Sequence, residues 1–246
     1  MAAAARTYKA RGIVLRARNL GEADRIVILF TLEHGKVEAV AKGIRRGRSR
    51  VGGRLEFGNE VTLTIHRGRS LDVIAGAEIL REHWRELVDP RRFSVAAEAC
   101  EMIDAFSEPE LALPEVYVLL VGMLAAIARS DAPSTLVPRF SMRLLDALGV
   151  APPLDACVRC GNALRASAWV DVEAGGLIDA SCRERWRDLP ELDAAALENL
   201  RALAAPRERR RAAVQALPRV AEAVELLVAH HLGRRPRSAA AVAEMR

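Results

Sequence analysis

The chain has 246 residues, with 37 Lys+Arg against 32 Asp+Glu for a formal charge of +5, and is 51% hydrophobic and 28% charged. That composition excludes an intrinsically disordered or low-complexity scaffold and supplies enough apolar surface for one large domain or two smaller ones. No stretch approaches the ~18 apolar residues of a membrane span. Residues 1–6 form an alanine tract without the apolar region of a signal peptide. Four cysteines are too few for a disulfide framework, so the expected compartment is the reducing cytoplasm.

The charge is unevenly placed. Residues 1–80 hold 15 basic and 8 acidic side chains, a local +7, which leaves −2 for everything after. Nucleic acid is the partner such a segment predicts. Apart from Lys9, Lys36 and Lys42 the basic residues are arginines, which suits bidentate phosphate contact and equally fits a bias in genomic base composition.

In chain order, residues 13–15 are a short apolar run, residues 25–31 are apolar after Arg25 and end at the turn Glu33-His34-Gly35, and residues 36–41 resume as a strand. Val61, Leu63 and Ile65 alternate with Thr62, Thr64 and His66, and a turn at Arg67-Gly68-Arg69 leads into residues 71–80. Five strands with no helical pattern between them predict a small antiparallel barrel of the OB type over residues 1–80. Asp89-Pro90 then marks a boundary, and helical spacing follows over residues 94–106, 114–128 and 134–149, the last stopped by Gly149. Residues 150–190 break the pattern, and helices return over 193–232, separated near Pro206 and Pro218. The expected class is α+β and multi-domain: an OB barrel (1–80), an α-helical domain (81–246), and a cysteine-bearing insertion within it (153–190).

Residues 36–54 hold seven basic side chains, Lys36, Lys42, Arg45, Arg46, Arg48, Arg50 and Arg54, against the single acid Glu38. Glycines at 43 and 47 let a backbone approach phosphates, and arginines spaced by one or two residues can track a phosphate chain without reading base edges. A solvated loop that merely aids solubility is the competing reading; further arginines at 16, 18, 67 and 69 favour the nucleic-acid one. Aromatic platforms are scarce. Of Tyr8, Phe30 and Phe57, Phe30 reads as core and Phe57 fits either role, so affinity must come mainly from phosphates and be salt-dependent.

Cys157-Val158-Arg159-Cys160-Gly161 is half of a zinc knuckle, two thiolates two residues apart with a glycine that admits backbone N–H groups to the sulfur. The second half falls at the expected spacing as Asp179-Ala180-Ser181-Cys182, with aspartate in the first cysteine position. Three thiolates and a carboxylate form an admissible tetrahedral zinc set, and Gly175-Gly176 sits where a hairpin must turn back. A metal-free degenerate knuckle and a Cys157/Cys160 redox pair are the alternatives. Cys100 reads as a packed core thiol.

Catalytic signatures are missing: the sequence has no phosphate-binding G-x4-G-K-[S/T], no G-x-G-x-x-G after a strand, no H-E-x-x-H and no G-x-S-x-G. Glu22/Asp24 is the one carboxylate pair in the basic module, and such acids read as charge partners for arginine. His230-His231 are neighbours on the terminal helix, where adjacent residues do not face one another.

Gly21-Glu22-Ala23-Asp24-Arg25-Ile26, Leu29-Phe30-Thr31, Gly35-Lys36, Val40-Ala41-Lys42-Gly43-Ile44-Arg45-Arg46, Ser49 and Gly53-Arg54-Leu55-Glu56-Phe57 together resemble the bacterial RecO family of recombination mediators and DNA-repair proteins. The resemblance is dense over residues 9–80 and one of character in the helical middle. It returns at Cys157–Gly161 and residues 175–182, departing at Asp179, where zinc-binding members carry cysteine. It implies an N-terminal OB fold, a helical C-terminal domain and no enzymatic activity. It further implies a nucleoid-associated role in the RecF pathway: binding single- and double-stranded DNA, annealing complementary strands, and acting with RecR to load RecA onto strands coated by single-stranded DNA-binding protein. The implied DNA face comprises Lys42, Arg45, Arg46, Arg48 and Arg50, which the basic run extends to Arg54, and the metal set is Cys157, Cys160, Asp179 and Cys182. An adaptor whose basic loop docks an acidic protein, and a zinc-dependent nucleic-acid enzyme, are the readings from other classes.

Overall fold

The computed structural model describes residues 6–46, 51–83, 85–184, 186–205 and 216–243. Residues 1–5, Gly47, Arg48, Ser49, Arg50 and Pro206, each used in the sequence reading, lie outside these. The chain divides into two compact units, Met1–Asp131 and Ala132–Arg246.

In the first unit, β1 (Thr7–Leu20), β2 (Asp24–Thr31), β3 (Gly35–Ala41), β4 (Glu60–His66) and β5 (Asp72–Arg81) close into a barrel of order β1-β2-β3-β5-β4. This is the OB-like arrangement expected. β1 is far longer than its apolar run because it serves two partners: its first half pairs with β4 (Tyr8↔Ile65) and its second with β2 (Ala17↔Val27). A register shift between Val14 and Arg16 bends it between them. Closure also needs a short parallel pairing, Ala39↔Asp72 and Val40↔Val73, between β3 and β5, so the barrel is not wholly antiparallel.

Val61, Leu63 and Ile65 of β4 point inward, fully buried, in the alternation that marked the strand. They meet Val27, Leu29, Val37 and Ile74 in the barrel core. β2 differs, because Ile26, Ile28 and Phe30 on its other face are buried as well. Two helices make that possible, α1 (Pro90–Phe106) and α2 (Pro114–Arg129). The Tyr117 ring of α2 lies 6.4 Å from Phe30 and its hydroxyl donates to Glu60 Oε1 at 2.9 Å. Burial, then the Glu60 carboxylate, pushes that phenol well above its ordinary value. α1 is tied to β1 and β3 by Asp104, whose carboxylate meets Arg16 Nε at 2.6 Å and Lys36 Nζ at 3.5 Å. Asp89-Pro90 proves to be the start of α1 rather than a boundary before it. Asp89 caps the helix, accepting from Arg91 N at 2.7 Å, and proline occupies the first turn, where its missing donor costs nothing. Cys100 of α1 is buried as expected, and burial pushes its thiol up to about 12. The α1–α2 connection closes over Gly35, which has φ +64 and where any Cβ would overlap the Leu111 carbonyl.

The second unit holds α3 (Val137–Ala147), a three-stranded sheet of order β7-β6-β8 (β6 Ala168–Asp171, β7 Gly176–Ile178, β8 Glu191–Leu192), α4 (Ala194–Ala204), α5 (Pro218–Leu232) and α6 (Ala239–Ala243). Gly149 follows α3 with φ +71, the left-handed stop the sequence suggested. Contrary to expectation, His230 and His231 do meet, edge to face with ring centroids 4.8 Å apart. His230 Nδ1 reaches the Val172 carbonyl at 2.5 Å, which turns its ring across the end of α5 toward the β6–β7 hairpin. Among the described residues no helix is long and apolar enough to cross a membrane.

His83, just after β5, is only 4% exposed, and burial followed by repulsion from Arg81 holds its imidazole below the ordinary 6.5. Well above pH 6.5 the ring is neutral folded or unfolded and ionisation costs nothing. As pH falls below that value the unfolded chain takes up a proton that the native one refuses until its lowered value is passed. Stability therefore falls on acidification, with a slope of up to about 1.4 kcal/mol per pH unit from this residue. Urea unfolding of wild type and His83→Gln across this range is expected to show a shallower pH dependence in the variant; parallel curves would refute the assignment.

Candidate nucleic-acid interface and metal centre

The basic loop leaves β3 at Lys42 and is stitched to the β1–β2 turn. Asp24 accepts from Gly43 N at 2.7 Å, Arg45 N donates to Ala23 O at 3.0 Å, and Arg45 Nη1 reaches Gly21 O at 3.3 Å. Gly43 has φ +62, and the turn then closes by Arg46 N donating to Gly43 O at 3.1 Å. Ile44 is driven into the barrel core, as is Leu55 at the end of a 3-10 turn (Gly52–Leu55) on the far side of the loop. The loop is thus pinned at both ends by an apolar residue, a contribution of about 1.5–3 kcal/mol each. Asp24 is not the arginine partner expected of it; its carboxylate is used to set a backbone turn.

This anchoring leaves Lys42, Arg45, Arg46 and Arg54 exposed. Arg45 and Arg46 come together with Arg25, Ile44 and Glu56 around an open groove of about 330 Å³. Lys42, Arg45 and Arg46 make no ion pair among the described residues. Several other basic residues of the barrel are matched by acids. Arg16 and Lys36 share Asp104, Arg18 lies 3.8 Å from Glu38, and Arg67 lies 3.9 Å from Glu110. Lys36, counted in the basic run, is mostly buried in its pair and does not belong to the exposed set. Phe30 is core and Phe57 packs against Phe93 with ring centroids 5.1 Å apart, so neither is a free platform beside these arginines. Arg25 and Glu56 were not singled out from the sequence; their place follows only from the turn that brings β2 beside the 3-10 segment.

In the second unit Cys157 and Cys160 stand on one turn and Asp179 and Cys182 on another, with their ligand atoms all within 4.8 Å of one another. The first turn is closed by Gly161 N donating to Cys157 O at 2.9 Å, with Gly161 at φ +77. Val158 N donates to Leu177 O of β7 at 2.9 Å, which carries the first turn to the strand that leads into the second. The β6–β7 hairpin turns at Gly175, φ +70, as the sequence required. Tetrahedral zinc spaces thiolate and carboxylate ligand atoms about 3.5–3.8 Å apart, so the donor set fits such an ion with modest contraction.

The four donors differ in how readily they take the charged form. Asp179 accepts from the Ser181 hydroxyl at 2.7 Å and Cys182 N at 2.9 Å through Oδ1, and from Asn162 Nδ2 at 3.2 Å and the Cys160 thiol at 3.3 Å through Oδ2. These bonds, that of Ser181 foremost, hold the carboxyl well below the usual range. Burial alone would raise the Cys157 thiol, but the amides of Cys160, Asp179 and Arg159 outweigh it and bring the group below its ordinary value. The Cys182 thiol, hydrogen-bonded to Cys160 and partly buried, is pushed up to about 12.

Supporting residues that sequence reasoning missed hold these turns. Asp171, fully buried at the end of β6, meets Arg159 Nη2 at 2.5 Å and Arg187 Nη2 at 3.4 Å, and its Oδ1 accepts from Glu173 N at 3.2 Å. Arg159 lies between the first two cysteines and Arg187 just beyond the last. Arg201 of α4 donates to Leu154 O at 3.0 Å and Leu164 O at 2.7 Å, clasping both flanks of the first turn. An acid at the end of an apolar strand, with an arginine inside the C-x2-C, was the available signal.

The family model described as Recombination protein O N terminal matches residues 4–83, and that described as Recombination protein O C terminal matches residues 87–240. Among curated proteins, the DNA repair protein RecO of Bifidobacterium adolescentis is 42% identical over 180 residues, 71% of this chain and 73% of that one. Those of Nocardioides sp. (38% over 181 residues; 72% and 74%) and Symbiobacterium thermophilum (37% over 201 residues; 80% and 79%) are similar over as much or more. Barrel, helical unit and matched sequence define a DNA-repair protein of the recombination class. Within that class, the chain belongs to the RecO family.

Asp171→Asn removes the charge that Arg159 and Arg187 share. The expected result is faster amide hydrogen exchange across β6, β7 and the cysteine turns with exchange in the barrel strands unchanged; unaltered protection of the hairpin would show that this carboxylate does not hold the turns.

Proposed function

We propose that this chain is a non-enzymatic mediator of recombinational repair that binds single- and double-stranded DNA, anneals complementary strands, and with RecR helps load RecA onto strands coated by single-stranded DNA-binding protein. It would work in the cytoplasm, associated with the nucleoid. Membership of the RecO family supports this reading. The observation that carries it is the loop stitched to the β1–β2 turn, which holds Arg45 and Arg46 exposed at one groove with Lys42 beside them. We assign DNA contact to Lys42, Arg45, Arg46, Arg48, Arg50 and Arg54, on a barrel domain of residues 1–80. We assign residues 81–246 to the helical domain, with the insertion at 153–190, the first two helices of that domain lying in the same compact unit as the barrel.

Exposed arginines without adjoining platforms bind the phosphate chain and release counterions, so affinity falls steeply with salt whatever the sequence. Arg45→Ala/Arg46→Ala is expected to weaken single-strand binding and to lower the log–log salt slope by about 0.7 for each phosphate left without its arginine. Unchanged affinity and slope in mobility-shift titrations would remove the loop from the interface, and no shift of plain oligonucleotides by the wild type at modest salt would favour the adaptor reading. Strand annealing with and without single-stranded DNA-binding protein tests the mediator role itself, since nonspecific binding does not produce annealing of coated strands.

Zinc is the metal we assign to Cys157, Cys160, Asp179 and Cys182, on the chemistry of three thiol donors and one carboxylate. Bound there, it would cross-link the two turns without taking part in a reaction. Elemental analysis of unchelated protein is expected to give close to one zinc per chain, and Asp179→Cys to retain it against a chelator longer than wild type. Well under one zinc per chain in both proteins would make the knuckle a metal-free one.

A further inference from the structure

A second open cleft on the barrel, of about 540 Å³, lies between the start of β1, the β2–β3 turn, the β4–β5 loop and the α1–α2 connection. Its floor is an ordered stack. The Tyr8 hydroxyl donates to Asp72 Oδ2 at 2.5 Å, the His34 ring meets the Tyr8 ring edge to face at 4.7 Å, and the Arg67 guanidinium lies 5.1 Å over the Tyr8 ring. Arg67 is half exposed, and its ion pair to Glu110 is long at 3.9 Å. Glu110 itself is 87% exposed and holds φ +62, a conformation that residues other than glycine seldom adopt. A carboxylate is therefore held over the cleft against backbone strain, a condition that gathers at ligand sites.

We propose that this cleft seats one unstacked nucleobase of single-stranded DNA, lying on the outer face of the Arg67 guanidinium with its exocyclic amine donating to Glu110. The proposal rests on the DNA-binding reading above and extends it to a second element of the barrel. Arginine planes are stacking surfaces for bases, and Tyr8 fixes this one in advance. The cleft has the volume of a small-molecule site, about 300–1,000 Å³. A phosphate does not fit its chemistry: Glu38, Asp72 and Glu110 all line it, and Lys36 is already committed to Asp104. A neutral base with an amine donor does fit. Asp72 already accepts from Tyr8 and Gly68 N, and of the two remaining carboxylates Glu110, 87% exposed against 39% for Glu38 and paired with Arg67 itself, is the one placed to accept from a base lying on that guanidinium. The β1–β2 and β4–β5 loops border the oligonucleotide face of OB barrels. Here the first is bonded to the basic loop and the second carries Arg67, so phosphate contact and base contact fall to different loops of one barrel.

The test is fluorescence anisotropy at fixed salt and neutral pH with short oligomers of deoxycytidine and of thymidine, which has no exocyclic amine. Wild type is expected to bind the deoxycytidine oligomer several-fold tighter. Arg67→Lys keeps the charge but not the plane, so its affinity for the deoxycytidine oligomer is expected to drop by about fivefold or more with its salt slope unchanged. Glu110→Gly is expected to abolish the preference between the two oligomers while raising the thermal midpoint, because the strain goes with the carboxylate. Equal wild-type binding of both oligomers, or Arg67→Lys indistinguishable from wild type while Arg45→Ala/Arg46→Ala still weakens binding, overturns the base seat and leaves the basic loop standing. Failure of the wild type to bind either oligomer overturns the DNA-binding reading and this one with it.

Discussion

The first unit is organised by the burial of β2 on both faces. A five-stranded barrel consumes only one side of each strand, yet Ile26, Ile28 and Phe30 are as fully buried as Val27 and Leu29 on the inner side. Leaving three such side chains in water would forgo about 1.5–3 kcal/mol each, comparable in total with the net stability of a domain. The barrel therefore needs a cover, and α1 and α2 provide it. Asp104 makes the cover specific: one carboxylate on α1 meets Arg16 of β1 and Lys36 of β3. With the outer face of β2 taken, a ligand is left the loops and the outer faces of the other strands.

Loops present charge usefully only when their backbone is held, since each ordered residue costs about 1–2 kcal/mol of conformational freedom at the moment it is fixed. Asp24 offsets that cost in advance at the basic loop, through Gly43 N, with Ile44 and Leu55 as apolar pins. The same device recurs in the second unit with stronger partners. Asp171 gathers Arg159 and Arg187, and Arg201 clasps the carbonyls of Leu154 and Leu164. In both places an acid or arginine commits its hydrogen-bonding capacity to backbone or to a buried partner, and the residues with exposed charge or soft donor atoms stand on the framework so made.

What could be read from the amino acids followed from local pattern. Period-two alternation marked β4, the left-handed glycines at 149 and 175 marked a helix stop and a hairpin turn, and C-x2-C with its distant partner marked the donor set. The illegible features depend on contacts distant in sequence. The parallel β3–β5 pairing leaves no trace in either strand. Arg16 and Lys36 look like additions to a positive field, and only Asp104, 88 and 68 residues further on, neutralises them. Phe57 is undecidable until Phe93 of α1 comes alongside. Asp89-Pro90 misleads for a different reason: an aspartate cap followed by proline is a helix start as readily as a break, and helical spacing shows itself only several residues later.

Aspartate stands where the resemblance led one to expect a cysteine, and its surroundings give it work of its own. A cysteine at residue 179 would offer one sulfur and little hydrogen-bonding capacity. The carboxylate has two oxygens with separate work. Oδ1 is committed to the turn through Ser181 and Cys182 N, while Oδ2 faces the Cys160 thiol among the donors. Such a group can ligate through one oxygen without releasing the turn that presents Cys182. Its formal charge on ionisation is that of a thiolate, so the total charge set against a divalent ion is unchanged; only the softness of one donor differs. Aspartate here thus trades the softness of a sulfur donor for a better-fixed oxygen, and the turns beside it are held by Asp171, through Arg159 and Arg187, and by Arg201.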